Sequence, residues 1–149
     1  MLTAPGIEST IPAWKRLAAR VLGRVAPGAY LANGLRGDQL ATDPAVGADY
    51  VADPLNEHRT SVGFGAAGIA EQARVLARLH SLSIPTLVMH GTADTIVPPS
   101  ASSRLGALPG VTLRTWPGLR HEIHNEPAGG EVVAAVVAWI EDRMGRGSG

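Results

Sequence analysis

The sequence predicts an α/β fold with a parallel sheet, and three observations support this prediction. Residues 84–90 form a continuous apolar, partly β-branched run, as in a strand that is covered on both faces. This run and a second strand-like run, residues 111–116, are each followed by a loop and a helical pattern, which is typical of βαβ units. The 149 residues, 45% of them hydrophobic, suffice for one domain with a buried core.

The first elements are predicted from apolar spacing and from Pro and Gly positions. Residues 2–6 (Leu-Thr-Ala-Pro-Gly) are interpreted as the end of a buried strand followed by a turn. Because a domain rarely begins inside its own core, we expect sequence upstream of this start to be missing. Residues 12–25 are predicted to form a helix that opens at Pro12, and residues 26–42 to form a loop. The helix carries an apolar stripe that we interpret as a packing surface, formed by Leu17, Val21 and Leu22.

The remaining elements alternate between helices and strands. Asp43 is predicted to cap a short helix that begins at Pro44 and ends near Val51. Helical spacing returns over residues 60–82. A short helix is expected at residues 100–108, after the first strand-like run, and an amphipathic final helix at residues 131–144. Residues 145–149 are predicted to be a disordered tail. The parallel sheet is therefore expected to have three strands.

Composition excludes several classes of function. Thirteen Lys and Arg balance thirteen Asp and Glu, so no basic surface is expected for nucleic acid. The absence of Cys removes disulfides, thiolate metal sites and thiol nucleophiles. The longest apolar run, residues 132–140, is less than half of a membrane span, and the N-terminus lacks the order of a signal peptide. We expect a cytoplasmic protein without a membrane span, cofactor or metal.

Two loops follow the predicted strands and carry side chains that are suited to catalysis. Functional residues of parallel sheets lie in loops at the carboxyl ends of the strands, and neighbouring strands are only about 5 Å apart. Asp94 in the first loop is therefore expected within hydrogen-bonding reach of His121 in the second. A carboxylate that orients an imidazole and stabilises its charged form supplies two of the three members of a nucleophilic triad.

Both loops resemble motifs of one known family. Residues 90–99 resemble an HGxxD–xxVxP acid loop, and residues 116–127 resemble a YPGxxHExxNEP histidine loop; they read HGTADTIVPP and WPGLRHEIHNEP. These motifs are similar to the carboxyl-terminal half of the α/β-hydrolases, in the monoacylglycerol lipase branch that is also labelled serine aminopeptidase S33-like. The resemblance implies that Asp94 and His121 are the acid and the histidine of a Ser-Asp-His triad that acts on a small lipid or ester.

The resemblance also implies how the chain is organised. Residues 42–55 are similar to the cap segment of the family, so residues 11–80 are expected to form a helical cap or lid over the acyl-binding pocket. Residues 1–10 and 81–149 would form the core, a partial α/β-hydrolase fold with the last three parallel strands and flanking helices. The outer edge of the first strand would lack a partner. We therefore expect marginal stability, self-association through this open edge, or a need for the missing half.

The chain departs from the family at the nucleophile. The family carries its Ser on a G-x-S-x-G turn that precedes the acid and the histidine. No serine of this chain has Gly both two residues before it and two residues after it. The eight serines are Ser9, Ser61, Ser81, Ser83, Ser100, Ser102, Ser103 and Ser148. The oxyanion loop of the family is also absent, and one oxyanion donor is worth about 2.7–4 kcal/mol.

We therefore expect the chain alone to be nearly inactive as an esterase. The Ser could lie on another chain or in upstream sequence. The alternative is a catalytically inactive truncated remnant or a lipid-binding fragment. A third option is a related activity on the same fold, such as that of a peptidase, thioesterase or lysophospholipase.

Two further patterns are assigned to structure rather than to ligand binding. His121 and His124 are three residues apart, whereas a zinc-binding helix spaces its histidines by four, so no metal site is predicted. Residues 63–68 match G-x-G-x-x-G by letter, but the polar stretch before them is not strand-like and no acidic residue follows at the required distance. We interpret this segment as a loose cap helix or a pocket wall.

Overall fold

The computed structural model describes residues 1–8 and 11–146, which form five strands and five α-helices. Two 3-10 turns, Gly37–Gln39 and Leu79–Ser81, complete the regular structure of these residues. None of the helices in the described ranges is long and apolar enough to cross a membrane. In chain order the elements are β1 (Leu2–Thr3), α1 (Ala13–Val25), β2 (Tyr30–Ala32), α2 (Pro44–Ala52), β3 (Arg59–Ser61), α3 (Val62–Arg78), β4 (Thr86–Gly91), α4 (Pro99–Gly106), β5 (Val111–Trp116) and α5 (Gly129–Arg146).

A parallel sheet in the order β1-β4-β5 forms the centre of the molecule. β4 pairs with β5 along six residues, whereas β1 pairs with β4 only through Leu2 and Thr3. Because both strand pairs are parallel, the carboxyl ends of all three strands lie at one edge of the sheet. This architecture confirms the predicted α/β class with three parallel strands.

The core lies around β4, the central strand. Every residue of β4 is buried, which explains its continuous apolar sequence. Leu87 and Met89 of β4 form a buried cluster with Trp116, Ile123 and Val132. The prediction that residues 2–6 end a buried strand is wrong for Leu2 and Thr3, because β1 is an outer strand of the sheet and is exposed; β5, the other outer strand, is also covered only in part.

Helix α1 packs through small residues rather than through its apolar stripe. Ala18, Ala19 and Gly23 are half-buried, and a methyl group at Gly23 would overlap Ala66 of α3. Leu17 and its neighbours in the stripe are instead exposed, so the interpretation of the stripe as a packing surface is wrong. Small side chains let two helix backbones approach closely, and this close approach decides which face of α1 is buried.

The structure contains an antiparallel strand pair, β2 and β3, that the sequence did not predict. β2 and β3 pair antiparallel, with Tyr30 opposite Ser61 and Ala32 opposite Arg59. Both strands have only three residues. β2 is exposed and β3 is exposed or half-buried, so neither shows the alternation of apolar and polar residues by which a strand is recognised in a sequence. The predicted helix of residues 60–82 therefore begins only at Val62, where the Ser61 side chain caps it by accepting a hydrogen bond from the Phe64 N–H.

Other helix boundaries agree with the sequence to within a few residues. The Asp43 side chain accepts a hydrogen bond from the Ala45 N–H, and Pro44 is the first residue of α2, as predicted. Helix α5 begins at Gly129 and includes residues 145–146, which the sequence assigned to a disordered tail. Residues 147–149 of that tail lie outside the described residues, as do residues 9–10 of the predicted core segment 1–10.

We expect Gly91→Ala to destabilise the chain, because a methyl group there would overlap the backbone carbonyls of Leu119 and Arg120. Overpacking typically costs about 1–3 kcal/mol, and backbone atoms cannot move aside as a side chain can. Gly65→Ala in α3 is the matched control, since a methyl group at Gly65 meets no atom within 4 Å. It should stabilise the helix by about 0.5–1 kcal/mol. Urea unfolding of both variants tests the expectation, and equal stability of Gly91→Ala and the wild type would contradict it.

Candidate active site at the ends of β4 and β5

The acidic group of the site lies in the turn between β4 and α4. Asp94 Oδ1 accepts hydrogen bonds from the backbone N–H groups of Ile96 (2.8 Å) and Val97 (3.0 Å). An aspartate that accepts from the N–H two residues further along the chain forms an Asx turn, so the local sequence itself orients this carboxylate. Asp94 is only 6% exposed, and its second oxygen is left for partners from elsewhere in the fold.

His121, in the loop after β5, is one of those partners. Its Nδ1 lies 2.8 Å from Asp94 Oδ2, and its side chain is 27% exposed. Since an ionised carboxylate only accepts hydrogen bonds, Nδ1 carries the hydrogen, and the neutral ring keeps its lone pair on Nε2. The structure thus brings the two residues together at the expected edge of the sheet, in the geometry that a general base requires.

A Pro-Gly turn carries the chain from β5 into the histidine loop. Gly118 has φ of +76°, and Pro117 precedes it, which is the sequence pattern of a type II turn. The Ala93 N–H then donates to the Leu119 carbonyl (2.9 Å), which joins the acid loop to the histidine loop. This approach is possible because Gly91 has no side chain where the backbone of the histidine loop passes.

A second buried carboxylate, Glu126, fixes the shape of the histidine loop. Glu126 Oε1 accepts from the Arg120 N–H (2.7 Å), and Oε2 accepts from the Thr42 N–H (2.8 Å) and hydroxyl. Burial raises the pKa of Glu126, but the hydrogen bonds from Thr42 and Arg120 outweigh it and lower the pKa below its ordinary value. The sequence predicts no role for Glu126, and its one signal is the NEP end of the histidine-loop motif.

Residues 38–42 hold the histidine loop on both sides of His121. The Arg120 guanidinium donates through Nη1 to the carbonyls of Asp38 (2.6 Å) and Ala41 (2.8 Å). On the other side of His121, the Glu122 N–H donates to the Leu40 carbonyl (2.8 Å). A segment that the sequence predicted only as a loop therefore sets the position of the imidazole.

The hydrogen bonds of the pair also set its charges. Burial raises the pKa of Asp94, but hydrogen bonds from His121, His90 and the Val97 and Ile96 N–H groups outweigh it and hold the pKa well below its usual range. The hydrogen bond to Asp94 raises the pKa of His121; burial opposes this effect, and the negative charges of Asp94 and Glu122 add to it. At neutral pH Asp94 is therefore a carboxylate, and it favours the charged form of His121.

Two buried residues that the sequence analysis did not single out also belong to the site. The His90 ring lies at the end of β4 with Nε2 3.0 Å from Asp94 Oδ2 and 3.2 Å from the Val97 carbonyl oxygen. Its Nδ1 lies 2.5 Å from the hydroxyl of Ser102 in α4. The only sequence signal for His90 was its place in the acid-loop motif, and Ser102 had none.

The other patterns considered in the sequence lie away from this pair. His124 is exposed, and the described part of the chain holds no group of three or more side chains that could bind a metal ion. Residues 63–68 lie inside α3, and the strand before them, β3, pairs antiparallel with β2 and is not part of the parallel sheet. A cavity of about 540 Å³ is lined by residues of β1, α3 and α4, and neither Asp94 nor His121 contributes to it.

Comparisons with known proteins place the chain in a family. Residues 1–128 match the family described as Serine aminopeptidase, S33 (Hydrolase_4). The chain is 38% identical over 130 residues to a monoacylglycerol lipase of Mycolicibacterium smegmatis, which covers 85% of this chain and 46% of that protein. It is 27% identical over 150 residues to an uncharacterized abhydrolase domain-containing protein of Dictyostelium discoideum, covering 97% of this chain and 16% of that protein.

Solved structures show the same fold. The crystal structure of a monoacylglycerol lipase from Paleococcus ferrophilus superposes with a TM-score of 0.85 at 32% identity, covering 92% of this chain and 56% of that one. A soluble variant of the Saccharomyces cerevisiae monoglyceride lipase gives a TM-score of 0.80 at 20% identity, covering 94% of this chain and 51% of that one, and it supports the fold alone. The chain thus spans about half the length of these lipases, and it belongs to the serine aminopeptidase S33 family of α/β-hydrolases.

Proposed function

We propose that this chain supplies the acid and the histidine of a carboxylic-ester hydrolase of the monoacylglycerol lipase type. The observation that carries the proposal is the 2.8 Å hydrogen bond between His121 Nδ1 and the buried carboxylate of Asp94. In the proposed mechanism His121 Nε2 accepts the proton of a serine hydroxyl as the serine attacks the ester carbonyl, and His121 then gives the proton to the leaving alcohol. Water releases the acyl group as a carboxylic acid, while Asp94 stabilises the imidazolium that forms in each step.

The serine of this triad is proposed to come from polypeptide outside these 149 residues. None of the eight serines of the chain lies in a G-x-S-x-G turn, the arrangement that exposes the nucleophile in this fold. The outer edge of β1 has no strand partner within the described residues, and we propose that it pairs with the complementing polypeptide or with a second copy of the chain. Without that complement the chain has no nucleophile and is inactive.

The helical part of the chain is proposed to act as the cap. Residues 11–80 would cover the acyl chain of the substrate, and residues 1–10 and 81–149 would form the catalytic core. The exposed apolar side chains of α1 support this division, since they offer a surface for an acyl chain; they include Trp14, Leu17 and Val21. A cytoplasmic location is part of the same proposal.

The same exposed surface favours the second candidate, a lipid-binding fragment without turnover. Such a fragment would bind acyl chains through α1 but would not hydrolyse esters even when a nucleophile is supplied. Peptidase, thioesterase and lysophospholipase activities would use the same Asp94–His121 pair, and a panel of substrates for each would separate them from monoacylglycerol hydrolysis.

We expect a chimera in which this chain replaces the matching 130-residue part of the M. smegmatis monoacylglycerol lipase to release glycerol from a monoacylglycerol. His121→Ala should lower kcat by about 10⁶-fold, and Asp94→Asn by about 10⁴-fold, because the histidine would lose its proton-accepting role or its correct tautomer. His124→Ala is the matched control, since His124 is exposed in the same loop and should leave kcat nearly unchanged. A folded chimera that binds lipid without turnover would contradict the proposal and favour the lipid-binding fragment.

A fluorophosphonate probe tests whether the nucleophile is missing from the chain itself. The 149-residue chain should remain unlabelled, because none of its serines is in the elbow that activates the nucleophile. The chimera should be labelled on the serine supplied by the lipase part. Labelling of any serine of the isolated chain would show that the proposed source of the nucleophile is wrong.

We also expect the activity of the chimera to rise with pH through a midpoint above about 6.5, the ordinary pKa of histidine. Only the neutral imidazole can accept the serine proton, and the hydrogen bond to Asp94 raises the pKa of His121. In Asp94→Asn the carboxylate charge is lost, so the midpoint of the residual activity should fall. Initial rates measured across the neutral range test this, and equal midpoints in the two proteins would contradict it.

A further inference from the structure

We propose that His90 and Ser102 are positioning residues for the Asp94–His121 pair. In this proposal the Ser102 hydroxyl holds the His90 ring in one orientation, and the ring in turn holds Asp94 Oδ2 in place for His121. The inference rests on the proposed function, in which Asp94 orients the histidine of a triad. It adds two residues that never touch the substrate.

The tautomer of His90 follows from the chemistry of its neighbours. Nε2 faces two groups that can only accept, Asp94 Oδ2 at 3.0 Å and the Val97 carbonyl at 3.2 Å, so Nε2 carries the hydrogen. Nδ1 faces the Ser102 hydroxyl at 2.5 Å, and a hydroxyl can donate to the lone pair that the neutral ring leaves there. Each polar atom of the ring is thus satisfied in its neutral form, which a ring with no exposed surface requires.

The ring completes the set of donors around Asp94. Oδ1 takes two backbone N–H groups from its own turn, and Oδ2 takes two imidazole N–H groups, those of His90 and His121. Without His90, Oδ2 would have His121 as its only protein donor in the described residues, and a buried charge would be under-satisfied. His90 is suited to this task because β4 is paired on both sides, which holds the base of its side chain rigidly.

Ser102, His90 and Asp94 are the residue types of a hydrolytic triad, but their arrangement does not suit hydrolysis. Ser102 is 1% exposed and His90 is fully buried, so a substrate cannot reach the hydroxyl. The ring nitrogens are also exchanged relative to a hydrolytic triad, because here Nε2 binds the carboxylate and Nδ1 binds the serine. Ser102 and His90 therefore serve as a support for Asp94 and do not form a second active site with it.

The first test is the tautomer of His90 in the 149-residue chain. Long-range ¹H–¹⁵N spectra of the histidine rings distinguish a protonated nitrogen from one that carries a lone pair. We expect His90 to be protonated on Nε2 alone at neutral pH. A hydrogen on Nδ1, with or without one on Nε2, would overturn the proposal, and this measurement needs no variant.

The second test uses the competition between His90 and His121 for one oxygen. When His90→Leu removes its N–H, Asp94 Oδ2 becomes a stronger acceptor for His121, so the NMR titration midpoint of His121 should rise by about half to one pH unit. The charged groups acting on His121, Asp94 and Glu122, are unchanged in this variant. A purely structural role for His90 predicts lower stability with an unmoved or lowered midpoint, and that result would overturn the proposal.

Conservative variants separate positioning from packing. His90→Gln keeps an amide N–H near the place of Nε2 and should return the His121 midpoint close to the wild-type value. Ser102→Ala removes the donor to Nδ1 while α4 is retained. Nε2 should keep its hydrogen, because its two acceptors remain, but the ring loses the bond that fixes its orientation, so the His121 midpoint should rise by less than in His90→Leu. If His90→Leu does not fold, Ser102→Ala decides: a His121 midpoint equal to the wild-type value in that variant would overturn the role of the hydroxyl.

The outcomes for the inference and for the proposed function are distinguishable. An inactive, folded chimera together with the expected ring spectra would defeat the proposed function while leaving the support of Asp94 intact. An active chimera in which His90→Leu leaves the His121 midpoint unmoved would defeat the inference alone. Fluorophosphonate labelling of Ser102 would also overturn the inference, because it would make this residue a nucleophile.

Discussion

The buried carboxylate of Asp94 is the constraint on which the rest of the site depends. A charge that is removed from water must be matched by donors of good geometry, and Asp94 has four: two from its own turn, one from β4 and one from the histidine loop. Because these donors belong to separate parts of the fold, the carboxylate ties them together. The same hydrogen bonds keep Asp94 ionised and hold its Oδ2 beside Nδ1 of His121.

Glu126, at the other end of the histidine loop, is likewise a buried carboxylate whose donors come from separate parts of the fold. Its two oxygens join Arg120 in the loop to Thr42, far away in the sequence, and the Arg120 side chain returns to carbonyls of residues 38–42. The helical part of the chain and the sheet are thus connected through polar contacts beside the imidazole. In this arrangement the loop does not need a large apolar surface of its own to hold His121.

The exposed apolar surfaces follow from how little of the chain is enclosed by its own elements. β4 is fully buried because it has a strand on each side, whereas β1 has one neighbour and leaves Leu2 40% exposed. Helix α5 likewise exposes Val133 and Val137 on one side while Val132 packs into the core. Such surfaces are unfavourable in water, and they agree with a chain that spans about half the length of the lipases it matches.

Features that depend on local chemistry can be predicted from the amino-acid sequence alone. An apolar run specifies the buried strand, Asp43 and Pro44 specify the start of α2, and an Asx turn orients the carboxylate of Asp94. Three other features depend on tertiary contacts: the buried face of α1, the antiparallel pairing of β2 with β3, and the places of His90, Ser102 and Glu126 beside Asp94 and His121. These outcomes depend on contacts between residues far apart in the chain, where close approach, burial and shared hydrogen bonds outweigh any local pattern.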